Sequence, residues 1–357
     1  MRVFVHAAIV VLLGGTVAAQ SVEDFSALDP IVAAVDARMG AGTTQLSIPR
    51  AVGDNFDIPL KDGQAATFGH RIALEVARHL EPDQVRLTDY YDDTFKVMPG
   101  EDPSAVSLVS HPLCEESRAT LDATLRRPNG LTDAEIEHVN AFVDHANAAR
   151  EALLANPADT LPALRTWTAL GTCLAYAESL GDPDTSTSHS RAQQLLGEDF
   201  DKPRGVKFYY DSGHSNQASR WNIGLFQFVL HRSGNIQPCL VSWQAQGLPG
   251  GNVRRDLTVE EMGRFVGSPG QSFNAFCGMN KIAQTLTINA LTTDPSRTHP
   301  SNRVDGGLKP SSQRCVSLHN RRAYAHFGPL IRTSSTTAGY TSNLEKVMSC
   351  AVGALEN

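Results

Sequence analysis

Apolar residues recur at helical spacing along most of the chain, in segments separated by turn-rich stretches. A repeat of three to four residues between apolar positions is typical of a helix with one buried face. Thr132 and Glu135 also form the capping-box sequence that marks a helix start. The run Val206–Tyr210 is instead β-branched and aromatic, which predicts a short strand. The spacing predicts helices in segments 25–35, 70–80, 132–146, 161–178, 258–266, 272–291, 321–327 and 342–354. The chain is therefore predicted to be mainly α (α+β) with a small β element.

The first 19 residues have the features of a secretory signal. Arg2 precedes an apolar run at 7–13, and small residues continue to Ala19, after which we expect cleavage. The run is too short to cross a bilayer, and no later stretch reaches the roughly 20 apolar residues that a spanning helix needs. We expect a secreted protein, periplasmic or extracellular, without a membrane span. A loop at Met98–Pro103 ends an N-terminal helical extension of unknown role, residues 20–105, and residues 106–357 follow as the main domain.

Cysteine number and charge narrow the class of protein. The six cysteines are an even number suited to an oxidising compartment and predict three disulfides, among 15 connectivities that the sequence leaves open. The net charge of −7 argues against a nucleic-acid partner. The chain has no C-x-x-C pair and no H-E-x-x-H spacing, so neither a zinc knuckle nor a zinc peptidase is indicated. We expect no metal and no cofactor.

One acidic residue lies at an unusual position. Glu178, followed by Ser179, ends the helix predicted at 161–178, and the apolar residues 175–177 come directly before it. The helix dipole disfavours an acid at this end, so another reason for its presence is needed. A partly buried Glu with a raised pKa can deliver a proton to a glycosidic oxygen. Glu178 is therefore the candidate general acid.

Two further motifs follow in order along the chain. Gly224-Leu225-Phe226-Gln227 is a Gly-Leu-x-Gln sequence, and Tyr324 is followed by Gly328. The order Glu-Ser, Gly-Leu-x-Gln and Tyr-x-x-x-Gly resembles the catalytic core of lysozyme-like lytic transglycosylases, over residues 161–357. Ala325 stands where that family usually has Asn, and Gly328 comes one residue later than in its pattern.

The resemblance implies a fold, a reaction and a set of site residues. It implies that residues 106–357 form a lysozyme-like catalytic domain, with Glu178 as the single acid and base. The bond cut would be the β-1,4 bond between N-acetylmuramic acid and N-acetylglucosamine in peptidoglycan, without a cofactor. We expect the enzyme to be a monomer. The residues expected to contact substrate are Ser179, Gly224, Leu225, Phe226, Gln227 and Tyr324.

Three alternatives stay open at this point. A hydrolase would add a second carboxylate about 5–5.5 Å away for retention or about 6.5–9.5 Å away for inversion, and the candidates are Asp182, Asp184 and Asp211. A lysozyme-like scaffold can also bind a glycan without cutting it, which the altered Ala325 allows. Cys173, with His189, His214 or His299, would give a Cys-His amidase or peptidase, provided that Cys173 is not in a disulfide.

Overall fold

The computed structural model describes residues 26–39, 68–80, 108–117, 131–180, 186–202, 206–230, 236, 239–240, 243, 257–267, 272–291, 295, 298–318 and 343–357. The predicted signal segment, the helix predicted at 321–327 and Tyr324 lie outside these residues. Among those described, helices dominate and a small antiparallel sheet accompanies them. The coarse fold prediction, mainly α with a small β element, is confirmed.

All the described α-helices except Ser186–Leu196 coincide with segments that the apolar spacing predicts. Thr132 caps the third helix as predicted, because its side chain accepts the Glu135 N–H (3.1 Å) while the Glu135 carboxylate accepts the Thr132 N–H (2.8 Å). Another capping box, between Thr258 and Glu261, starts the sixth helix. The helices are α1 (Asp29–Met39), α2 (Phe68–Leu80), α3 (Asp133–Ala155), α4 (Leu161–Ala175), α5 (Ser186–Leu196), α6 (Val259–Val266), α7 (Ser272–Leu291) and α8 (Asn343–Leu355).

Helix α4 lies at the centre of the core. From Thr166 to Ala175 every residue is buried, and α1, α2, α3 and α8 all pack against this helix. A helix that is apolar on all sides needs such a complete covering. Gly171 allows close packing, since a Cβ there would press on Ile72 of α2 and Met279 of α7. The position of the C-terminal end of α4 is therefore fixed from several directions.

The two described helices of the N-terminal extension belong to the same core. Helix α2 packs between α4 and α7, and α1 packs on α8 and α4. Arg38 near the end of α1 donates a hydrogen bond to the Gly353 carbonyl of α8 (2.9 Å), and His70 of α2 lies 2.9 Å from the Asp29 carboxylate. These helices cover surfaces that the main domain would otherwise expose.

A three-stranded antiparallel sheet packs beside the helices in the order β1 (Phe208–Tyr210), β2 (Trp221–Ile223), β3 (Phe228–Val229). Phe208, Ile223 and Phe228 form one cross-strand row that is buried in the core. A second hairpin is formed by β4 (Arg303–Val304) and β5 (Gly307–Leu308). The predicted strand at Val206–Tyr210 is confirmed as β1.

Three disulfides join distant parts of the chain, as the even cysteine count predicts. They pair Cys114 with Cys315, Cys173 with Cys350, and Cys239 with Cys277. Such bridges are typical of proteins that fold in an oxidising compartment. In the part of the chain that the structure describes, no helix has both the length and the apolarity needed to cross a membrane.

Candidate functional site

The C-terminal end of α4 changes its helical geometry just before the candidate acid. After Ala175 the helix continues as a π-helical turn, Tyr176–Leu180, which contains Glu178. Tyr176 and Ser179 are buried, whereas Glu178 is half-buried. A π turn inserts an extra residue, re-aims the side chains beyond it, and occurs frequently at functional sites. Glu178 is thus held on a rigid helix end with partial access to solvent.

The backbone of Lys207 connects this helix end to the sheet. The Ser179 hydroxyl oxygen accepts the Lys207 N–H (2.8 Å), and the Lys207 carbonyl accepts the Gly224 N–H (3.2 Å). The same carbonyl lies 3.4 Å from the Gln227 side-chain nitrogen. Covalent geometry then limits the Cα of Glu178 to about 9 Å from the Lys207 nitrogen. The Glu-Ser motif and the Gly-Leu-x-Gln motif are distant in sequence, yet both form hydrogen bonds with the backbone of Lys207, which belongs to neither motif.

The turn from Gly224 to Gln227 links β2 to β3 and has an unusual backbone. Gly224 has φ +87° and Gln227 has φ +53°, both in the left-handed region. The Gln227 side chain donates to the Gly224 carbonyl (3.0 Å), which holds the turn closed. Glycine is needed at position 224 for a second reason, because a Cβ there would collide with Asn274 Oδ1.

Asn274 on α7 fixes the turn to the core. Its Oδ1 accepts the Leu225 N–H (3.0 Å), and its Nδ2 donates to the Val266 carbonyl at the end of α6 (2.7 Å). Asn274 is fully buried, so both hydrogen bonds are shielded from water. A buried amide that satisfies two backbone groups in this way fixes one conformation of the turn.

Several residues expected to contact substrate have buried side chains. The side chains of Leu225 and Phe226 are buried, and the Phe226 ring lies 6.2 Å, between centroids, from the rings of Phe68 and Phe228. Ser179 is buried with its hydroxyl bonded to Lys207. Among Ser179 and residues 224–227, only Gln227 is half-buried and the others are buried. Contact of these residues with substrate stays a prediction.

Asp211 lies at the far end of the β1–β2 ladder. Its N–H donates to the Arg220 carbonyl (2.8 Å), and its Oδ1 accepts the Gly213 N–H (2.9 Å), which is the geometry of a turn residue. The exposed His214 lies 3.6 Å from its other oxygen. Asp211 is four residues beyond Lys207, or roughly 13 Å along the strand. Asp211 and Lys207 therefore flank β1 at its opposite ends.

The cysteine-based alternative is excluded by a disulfide. Cys173 is bonded to Cys350 in the core and has no thiol to act as a nucleophile. The described residues include one group that could hold a metal ion, Cys114, His299 and Cys315. Both sulfurs are in a disulfide, so neither can act as a thiolate ligand. The His299 Nδ1 moreover accepts the Ser301 N–H (3.1 Å).

Helix α2 carries a buried acid and a buried base, and no local sequence signal predicts their burial. Burial raises the pKa of Glu75 to about 7, against the lowering effect of Arg78, whose Nη1 lies 3.5 Å away. Burial lowers the pKa of His79 to about 4, although the nearby Asn280 opposes the shift, and Arg78 adds to it. Both side chains are almost inaccessible to solvent, so perturbed pKa values here indicate a structural pair rather than reacting groups.

Comparison of the chain with protein-family models, with characterised proteins and with solved structures finds no match. The resemblance to lysozyme-like proteins therefore stands on the ordered motifs. The hydrogen bonds around Lys207 add a geometric reason to treat the first two motifs as one site.

Proposed function

We propose that this protein is a secreted glycosidase that cleaves peptidoglycan as a monomer, with Glu178 as its single acid and base. The observation that carries the proposal is the link from Ser179 through the Lys207 backbone to Gly224. It brings a half-buried carboxylic acid on a helix end close to the turn that carries the half-buried Gln227. Three disulfides are compatible with a secreted protein and support the proposed location.

The proposed reaction needs one proton donor. Glu178 protonates the oxygen between N-acetylmuramic acid and N-acetylglucosamine, and the C–O bond breaks with positive charge developing on the muramyl ring. The Glu178 carboxylate then accepts a proton from the hydroxyl that attacks the muramyl C1. If that hydroxyl is the 6-hydroxyl of the same sugar, the product is a 1,6-anhydro end; if it is water, the product is a reducing end.

Two of the three candidates for a second carboxylate, Asp182 and Asp184, lie outside the residues that the structure describes. A hydrolase that follows the usual scheme uses a second carboxylate within about 5–10 Å of the acid. Asp211 instead serves a turn at the opposite end of the ladder from Lys207. We propose the anhydro-forming reaction because the ordered motifs resemble those of lytic transglycosylases, with hydrolysis as the second possible outcome.

The test compares wild-type protein, Glu178→Gln and the control Glu151→Gln, which removes an exposed carboxylate from α3. Purified peptidoglycan is incubated with each protein, and the soluble products are identified by mass. We expect anhydro-muropeptides from wild type and control, and a loss of at least about 100-fold in Glu178→Gln, because an amide cannot donate the required proton.

Three outcomes decide the proposal. Near-normal cleavage by folded Glu178→Gln would reject Glu178 as the acid. Products 18 mass units heavier than the anhydro form would indicate hydrolysis. An inactive wild type that still binds peptidoglycan would favour the glycan-binding alternative, for which a retained Glu178 has no chemical purpose.

A further inference from the structure

The outer face of the three-stranded sheet carries side chains that differ sharply from its buried face. Tyr209, Asn222 and Val229 are directly opposite one another on the three strands. Lys207 precedes Tyr209 by two residues and therefore projects from the same face. Its ammonium lies 5.9 Å from the centroid of the Tyr209 ring. Tyr209 is 43% exposed, so an aromatic surface, a cation and an amide are presented together.

This face continues directly from the site proposed above. Its first residue is Lys207, whose backbone binds Ser179 beside Glu178 and whose carbonyl binds the Gly224 turn. A chain-like ligand that lies over the face, along β1, is thereby led toward the end of the sheet where Glu178 is held. Asp211 and its neighbour His214 occupy the opposite end of β1.

We propose that the outer sheet face binds a sugar ring that carries a carboxylate, with Lys207 as the residue that distinguishes acidic from neutral glycans. This inference rests on the proposed function, in which the muramyl residue supplies that carboxylate through its lactyl group. The Tyr209 ring offers an apolar surface for the C–H groups of a sugar. Asn222 offers both a donor and an acceptor for a hydroxyl or acetamido group.

The resting contact between Lys207 and Tyr209 suits an exchange of partners. A hydrogen bond between two charged groups is stronger than the contact of an ammonium with an exposed ring, so a sugar carboxylate can compete with the contact between Lys207 and Tyr209. When the ring of a sugar covers Tyr209, the flexible Lys207 side chain can turn toward the carboxylate. The protein as a whole has a net charge of −7, so Lys207 supplies local discrimination rather than general attraction to an anionic polymer.

The experiment measures binding separately from cleavage. Full-length Glu178→Gln protein is titrated with a neutral N-acetylglucosamine tetramer and with an alternating glucosamine–muramic acid tetramer that has free lactyl carboxylates. We expect the acidic glycan to bind about five- to tenfold more tightly, from one ion pair. Adding Lys207→Gln should remove this preference while keeping the backbone hydrogen bonds, and the exposed Lys346→Gln on α8 serves as the matched control.

A second substitution tests the aromatic surface. Tyr209→Ala should weaken both glycans by about tenfold, since stacking does not depend on the carboxylate, whereas Tyr209→Phe should bind as the parent does. The inference is overturned if the parent binds neither tetramer, if it does not prefer the acidic one, or if Lys207→Gln retains the preference. If wild type cleaves peptidoglycan and Lys207→Gln keeps the preference for the acidic glycan, this inference fails and the proposed function stands. If the parent prefers the acidic glycan but wild type does not cleave peptidoglycan, the proposed function fails and the binding face stands.

Discussion

Glu75 and His79 make the stability of the fold depend on pH in two opposite ways. The two residues are one turn apart on α2 and buried against their neighbours. Because burial raises the pKa of Glu75 from 4.5 to about 7, its contribution to stability is full below pH 4.5 and is lost as the pH rises toward 7. Burial lowers the pKa of His79 from 6.5 to about 4, so its contribution is full above pH 6.5 and is lost as the pH falls toward 4.

The two effects cancel where they overlap, between pH 4.5 and 6.5. Each shift corresponds to about 3 kcal/mol across its full range, or about 1.4 kcal/mol per pH unit with opposite signs. In this window the unfolded chain has an ionised Glu75 and a protonated His79, whereas the folded protein has both groups neutral. Folding therefore moves the equivalent of one proton from His79 to Glu75 and exchanges none with solvent through this pair.

Replacing Glu75 by Gln should expose the histidine effect alone. Relative to wild type, the free energy of unfolding of Glu75→Gln should rise by about 1.4 kcal/mol per pH unit between pH 4.5 and 6.5. The measurement is urea unfolding of the disulfide-intact protein, followed by circular dichroism at three pH values in this window. His79→Gln should show the mirror image, with stability falling as the pH rises. A difference between Glu75→Gln and wild type that stays constant with pH would refute the cancellation.

Four further predictions concern the turn, the caps and the bridges. Gly224→Ala should lower the free energy of unfolding by at least about 2 kcal/mol, because the alanine would have a strained φ and would clash with Asn274. A decrease of less than about 0.5 kcal/mol would argue against the turn geometry. Asn274→Ala should cost about 2–4 kcal/mol in urea unfolding, since it leaves two buried backbone groups unpaired. Thr132→Ala should cost about 1 kcal/mol, with Thr258→Ala as a comparison at the other capping box, and equal stability to wild type would show that neither box matters. Thiol labelling of denatured, unreduced protein should detect no free cysteine, and reduction should lower thermal stability by about 2–5 kcal/mol per bridge.

Local sequence signals predicted the elements well where they were strong. The capping box at Thr132, the apolar face of the segment that became α7, and the aromatic run at β1 each give the element that the structure contains. These signals act within a few residues, so no knowledge of distant contacts is needed. The disulfide number followed from parity, whereas the pairing depended on which segments the fold brings together.

The contacts that organise the site had no such local signal. Lys207 joins two motifs through its backbone, and a backbone group has no signature in sequence. The side chains of Leu225 and Phe226 belong to the core because α7 and α2 approach from distant parts of the chain. Helix α2 has the pattern of an amphipathic helix, yet its polar residues Glu75 and His79 are covered in the fold. Tertiary packing overrides the local pattern in each case.

The spacing of the paired cysteines also has a consequence for the order in which the protein acquires its bridges. Cys239 and Cys277 are separated by 38 residues, whereas the other two pairs are separated by 177 and 201. The entropy of loop closure alone favours the short loop by about ten- to twelvefold. Among chains with a single native bridge, those with Cys239–Cys277 should therefore form first in oxidative refolding. In those chains the bridge from α4 to α8 is still open, so the helix end that carries Glu178 is held by packing alone until a later oxidation step.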